Sequence, residues 1–266
     1  MTQTALITGA SAGIGAEFAR QLAASGHDLI LTARRLDRLQ AVANELSSQH
    51  GIRVHCIAAD LAVPADVERL LADVLQLGWP VDLFVQNAGY GLPGRFHSEP
   101  MATHRQFIEV MMTSPLALIH GLLPGMRARG RGRIINIASL AGFMPGSDGH
   151  TLYGACKAFW VKVSESLSQE NRSHGVRVLA LCPGFTYSEF HDSNGSRPLV
   201  SKMPKWLWMQ AKDVVREGLK AIEQDRIVYI NGWHNRLIKA VVTTMPDRLA
   251  RAFSARQSRR FRITKD

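Results

Sequence analysis

Thr8-Gly9-Ala10-Ser11-Ala12-Gly13-Ile14-Gly15 follows directly on the apolar run Ala5-Leu6-Ile7, and a helical pattern begins at once over residues 14–24. Small residues in such a stretch have a physical use. Gly9 permits a tight turn, Gly13 lets the backbone approach a pyrophosphate, and Gly15 lets helix and strand pack closely. The N–H groups at the helix start then face the anion. A glycine-rich loop alone signals no more than a turn at a helix start. Here it sits on the first strand of an alternating pattern, which gives it weight. Its spacing, Gly-x3-Gly-x-Gly, differs from the common dinucleotide fingerprint.

Outward from this loop, short apolar runs alternate with longer amphipathic ones. The runs at 5–8, 28–32, 54–58, 83–85, 133–138, 176–182 and 227–230 read as strands. Helical patterns fill 14–24, 36–49, 65–77, a pair across 102–129, and 153–173. The strands are β-branched and apolar on both faces, as a sheet covered by helices on either side requires. The expected fold is therefore α/β: a single doubly wound, Rossmann-type domain over 1–233, with a mostly parallel seven-stranded sheet and helices on both faces. Two regions break the rhythm. Residues 184–210 are rich in Ser, Pro, Gly and aromatics and read as a lid or binding loop. Residues 234–266 mix Leu, Val and Phe with spaced Arg and read as a basic amphipathic C-terminal helical extension.

With 266 residues, 46% of them apolar and 20% charged, the chain can bury a sizeable core. Disordered, disulfide-stapled and collagen-like classes are excluded. No run approaches the roughly 18 uncharged apolar residues expected of a membrane span, and the start lacks the basic region of a secretory signal. Cys56, Cys156 and Cys182 are odd in number and have no Cys-x-x-Cys spacing, so neither disulfides nor a metal site are expected, and a reducing, cytoplasmic setting fits. Net charge is +10, and the tail concentrates it: Arg248, Arg251, Arg256, Arg259, Arg260, Arg262 and Lys265 face only Asp247 and Asp266. That tail reads as a solvated helix or oligomer contact, or as a peripheral contact with an anionic membrane. No nucleic-acid motif accompanies the charge.

Further motifs fall in register with the first: Asn87-Ala88-Gly89 after the fourth strand, Ser139 at the end of the fifth, Tyr153 and Lys157 on the next helix, and Pro183-Gly184 after the sixth. On these residues the chain is identified as a member of the short-chain dehydrogenase/reductase family, a resemblance covering residues 4–232. The resemblance implies carbonyl–alcohol interconversion with a nicotinamide cofactor, a small substrate, and a homodimer or homotetramer. It places the cofactor on Gly9, Ser11, Gly13, Ile14 and Gly15, on Asp60 and Leu61 at the adenine, and on Asn87, Ala88 and Gly89. Tyr153, Lys157, Pro183, Gly184, Thr186 and Ser188 complete that set. It also implies that Ser139 bonds the substrate oxygen and that Lys157 holds the nicotinamide ribose.

The residues add their own chemistry. Arg34 and Arg35 end the second strand where an NAD site would place an acid, and a planar, permanent cation suits a 2′-phosphate, so NADP(H) is expected. Tyr153 and Lys157 share a helix face. A phenol ordinarily titrates near 10; bringing it close to 7 takes roughly 4 kcal/mol, which an adjacent ammonium in a dehydrated pocket can supply. Counting back from Leu123-Pro124-Gly125-Met126, Met111 occupies the position of the family's relay Asn. Its sulfur is no donor, so Thr113 or Ser114 takes over through water, or the relay differs. That departure keeps a second reading open, an NADP-binding sensor or scaffold. Cys156 reads as a small buried hydrophobe. Met203, Trp206, Trp208 and Met209 either cover an apolar substrate or simply pack, with Phe143, Met144 and Tyr90 at the same mouth.

Overall fold

The computed structural model describes residues 2–190 and 203–260. The strands are β1 (Thr4–Thr8), β2 (Asp28–Ala33), β3 (Val54–Ala58), β4 (Val81–Gln86), β5 (Gly132–Ile137), β6 (Val176–Cys182), β7 (Thr186–Tyr187), β8 (Met209–Gln210) and β9 (Val228–Ile230). Seven of them form one sheet in the order β3-β2-β1-β4-β5-β6-β9. Every neighbouring pair is parallel, so the sheet is wholly rather than mostly parallel. The doubly wound α/β fold expected from the alternation is present.

Strand alternation divides the core in two. Ala5 and Ile7 of β1 point into one apolar cluster and Leu6 into the other, as a period of two requires. The first cluster is closed by α1 (Gly13–Ala24), α2 (Leu36–His50) and, later in the chain, α7 (Ala211–Glu223), through Phe18, Leu39 and Val214 among others. The second is closed by α3 (Pro64–Gln76), α5 (Ser114–Ala128) and α6 (Thr151–Asn171), through Leu70, Leu118 and Trp160. Helix α7 had no counterpart in the sequence reading, although Val214, Val215, Gly218, Ala221 and Ile222 bury one of its faces.

The expected helix pair at 102–129 is α4 (Met101–Ile108) and α5, joined without a break by a π-helical turn over Glu109–Thr113. Pro115 accounts for the widening. It has no N–H, so the carbonyl of Met111, four residues back, loses its helical partner. Trp160 of α6 takes that carbonyl, donating from its indole at 2.6 Å. Among the described residues, Met101–Ala128 is also long and apolar enough, by length and composition, to cross a membrane, which corrects the expectation of no such run. Its Phe107, Leu118, Ile119 and Met126 are buried within the protein.

The extension forms α8 (Trp233–Thr244) and α9 (Asp247–Arg260). Strands β7 and β8 pair, Thr186 with Met209, and so bring the two ends of the 184–210 segment together. Residues 191–202 of that segment and 261–266 of the tail lie outside the described residues. Strand order reverses at β1 and β4, and in open parallel sheets the crevice beyond the strand ends at such a point is where ligands bind.

Candidate active site

A cavity of about 1250 Å³ occupies that crevice. The loop from Gly9 to Ile14 forms one wall. Gly9 and Gly13 hold φ of +67° and +56°, a left-handed conformation that side chains resist. A Cβ on Gly15 would fall inside contact of the Gly9 carbonyl and 2.5 Å from Asn87 Nδ2. Helix α1 opens at Ala12 with no side-chain cap, and its first intrahelical bond is donated by Ala16. The Gly9 and Ala10 N–H groups are spent on the Thr32 carbonyl, but those of the helix's first turn, Gly13 to Gly15, precede that bond and suit an anion on the cavity side.

Asn87 is tied to this loop. Its amide donates to the carbonyls of Thr8 (2.9 Å) and Gly9 (3.2 Å). The Thr8 hydroxyl accepts from the N–H groups of Asn87 (3.0 Å) and Ala88 (3.1 Å). Asn87, Ala88 and Gly89 all line the cavity, but the Asn87 side chain is spent on holding the loop. Arg34 and Arg35, both exposed, line the cavity at the end of β2, and among the described residues neither pairs with a carboxylate. Asp60 and Leu61 line it after β3, where Asp60 accepts the Ala62 N–H at 2.9 Å.

Ser139, Tyr153 and Lys157 meet on the same cavity, as do Pro183, Gly184, Thr186 and Ser188. Ser139 caps the short turn after β5, accepting from the Ala141 N–H at 3.1 Å and donating to the Pro183 carbonyl at 3.4 Å. Tyr153 is half-buried, with the Phe190 ring 5.7 Å away. Desolvation pushes its phenol up to about 12, a hydrogen bond with Ser139 working against the rise. Lys157 is buried; its ammonium donates to the Ile137 carbonyl at 2.7 Å and lies 5.6 Å from the Tyr153 ring centre. Burial lowers Lys157 to about 8. The expected depression of the phenol by the amine is therefore not found. Loss of water raises the tyrosine further than the bond with Ser139 lowers it.

Met111 is buried in a small cluster with Phe107 and Cys156, its sulfur against Gly89. Cys156 packs there as a hydrophobe, and burial raises its thiol to about 11. Neither suggested substitute for the relay Asn reaches the cavity. Thr113 is exposed, and the buried Ser114 hydroxyl shares its one proton between the Leu61 carbonyl (2.7 Å) and the Glu109 carboxylate (3.0 Å).

Of the four large residues at the end of the loop, only Met203 lines the cavity, together with Leu207. Trp206 is exposed, Trp208 stacks on Tyr187 at 4.7 Å, and Met209 packs on the core. Tyr90 and Met144 line the mouth; Phe143 instead packs on the core with the Lys239 ammonium 5.7 Å from its ring. The sequence reading missed Gln106, His150, Ile238 and Val242, which also form the wall. Alternation of apolar residues along α8 was a usable signal for the last two; Gln106 and His150 carried none. The walls from α4, the 140–151 segment, 203–207 and α8 carry no formal charge apart from His150, which burial shifts toward its neutral form.

A sequence model described as short chain dehydrogenase matches residues 3–198. An oxidoreductase from Myxococcus xanthus is 36% identical over 80% of this chain and 84% of its own length. Among solved structures, a short-chain dehydrogenase from Sphingobium yanoikuyae in complex with NADPH superposes with a TM-score of 0.81 at 32% identity, over 92% of this chain and 95% of that one. The bulky-bulky ketone specific alcohol dehydrogenase from Comamonas testosteroni gives 0.76 at 28% identity, over 99% and 95%.

Proposed function

This chain belongs to the short-chain dehydrogenase family, and on that premise we propose an NADP(H)-dependent oxidoreductase that interconverts a ketone or aldehyde and its alcohol, with Tyr153 as general acid/base. The observation that carries the reading is the meeting of Ser139, Tyr153 and Lys157 on the cavity that the Gly9–Ile14 loop also lines. A bound nicotinamide supplies the hydride chemistry at the substrate carbon. The protein's part is to bind, orient and move one proton.

The loop N–H groups hold the pyrophosphate. Arg34 and Arg35 hold the 2′-phosphate, and the absence of an acid at the end of β2 disfavours a free 2′-hydroxyl. Asp60 and Leu61 take the adenine end, and Lys157 the ribose hydroxyls. Thr186 and Ser188 take the carboxamide. Ser139 bonds the substrate oxygen. At neutral pH a phenol raised to about 12 is fully protonated, so Tyr153 is poised to give a proton to that oxygen, as reduction of a carbonyl needs. The uncharged walls suit an apolar substrate, and the ketone specificity of the Comamonas testosteroni relative supports this. The NADPH complex of the Sphingobium yanoikuyae relative supports the cofactor. The working unit is a homo-oligomer.

Met111 favours a second reading, an NADP-binding sensor or scaffold without turnover. One experiment separates the two: fluorescence titration with NADPH and NADH, followed by NADPH oxidation against apolar ketones and aldehydes. The first reading expects tighter NADPH binding and turnover that falls roughly a hundred- to ten-thousand-fold in Tyr153→Phe while NADPH still binds. NADPH binding with no oxidation on any carbonyl selects the second.

A further inference from the structure

Helix α8 has two apolar faces. Ile238 and Val242 look inward and line the cavity. Trp233, Leu237 and Val241, spaced four apart and so on one face, are 67%, 57% and 47% exposed. Trp206, 62% exposed, joins this outer stripe: it and Trp233 both meet the His234 ring edge-on, with centroids at 5.8 and 5.9 Å. Leu249 on α9 is exposed as well. A contiguous apolar patch of this kind marks a surface that something covers.

The charge around it indicates what covers it. Lys205 precedes Trp206, and α8 carries Arg236 and Lys239 with no acid. Helix α9 adds Arg248 and Arg251, and the sequence from there to Lys265 holds five more cations and no acid, on side chains outside the described ones. Asp247, the single acid between residues 233 and 265, is paired with Arg251. A second copy docking through the same face would set one basic surface against another, because a two-fold contact places the same patch of both copies together. An anionic lipid surface matches both properties: its acyl boundary takes the stripe and its headgroups take the cations. Tryptophan favours that depth.

We infer that the outer face of α8, with Trp206, docks on an anionic bilayer. The helix lies in the interface plane with Trp233, Leu237 and Val241 inserted. The inference needs no turnover and stands apart from the oxidoreductase reading; if both hold, the cavity wall and the membrane contact are two sides of one helix.

Vesicle co-sedimentation of the full chain tests it, comparing phosphatidylcholine vesicles with vesicles that also contain phosphatidylglycerol. Wild type should bind the anionic vesicles at least about tenfold more strongly, and added salt should erase most of the difference. The double substitution Trp233→Ser, Leu237→Ser, at exposed positions, should weaken binding by about tenfold. Arg248→Gln, outside the stripe, should weaken it by roughly fivefold. Equal binding to both vesicle types, or equal binding by wild type and the double variant, overturns the inference. A double variant that changes the sedimentation coefficient without vesicles also overturns it, since the stripe would then lie between copies of the chain.

Discussion

Lys157→Met isolates what it costs to keep an amine where this one lies. Its ordinary value of 10.5 falls to about 8 in the folded protein, with burial as the leading cause. The unfolded chain therefore keeps the lysine proton to higher pH than the folded one, and stability must rise with pH between about 8 and 10.5. Near neutrality the charged form costs about 3 kcal/mol, from 1.36 kcal/mol per tenfold difference in proton affinity. By about pH 9.5 most folded molecules hold the neutral amine, and the cost drops to roughly 1.4 kcal/mol. Methionine does not titrate. Urea unfolding of both proteins at about pH 7 and about pH 9.5 should thus show their stability difference moving by about 2 kcal/mol in favour of the wild type. Terms that do not depend on pH, such as the lost bond to the Ile137 carbonyl, cancel in that comparison. Parallel pH profiles would refute the reasoning, because they would mean that the amine titrates alike in both states.

Two other substitutions probe the frame. Gly15→Ala drives a methyl against backbone at Gly9 and against Asn87, neither of which can swing away. Overpacking of this kind costs about 1–3 kcal/mol, so the thermal midpoint should fall by about 2–4 °C for each kcal/mol; an unchanged midpoint counts against the fit described. Trp160→Phe strands the Met111 carbonyl that Pro115 leaves open. A buried, unpaired acceptor costs about 1–3 kcal/mol, and a urea midpoint equal to the parent's would show that water reaches the carbonyl.

The sheet was legible because its strands are short apolar runs with nowhere to go but a covered parallel layer, and six of the seven fall within one residue of the expected bounds; β4 starts two residues earlier, at Val81. The register of Ser139, Tyr153 and Lys157 on one cavity was legible for the same reason: strand ends and helix spacing fix where side chains emerge. What one side chain does to another was not. That Tyr153 and Lys157 share a helix face can be counted; that the ammonium turns to the Ile137 carbonyl depends on where β5 ends. Ser114 has a hydroxyl suited to a relay, but it is bound to the Leu61 carbonyl, a contact between segments far apart in sequence. Phe143 looked like a mouth residue, yet the short turn at Leu140–Phe143 carries it onto the core.

The clip between Asn87 and the backbone of Thr8 and Gly9 joins segments almost eighty positions apart. Any attempt to transplant a foreign coenzyme loop onto this scaffold, or to recombine it with a relative at a crossover between β1 and β4, has to carry both ends of the clip together. A chimera that brings in the loop together with any residue other than asparagine at position 87 would leave the carbonyls of Thr8 and Gly9 without their donor. Inheritance at this spot is therefore by pairs rather than by segments.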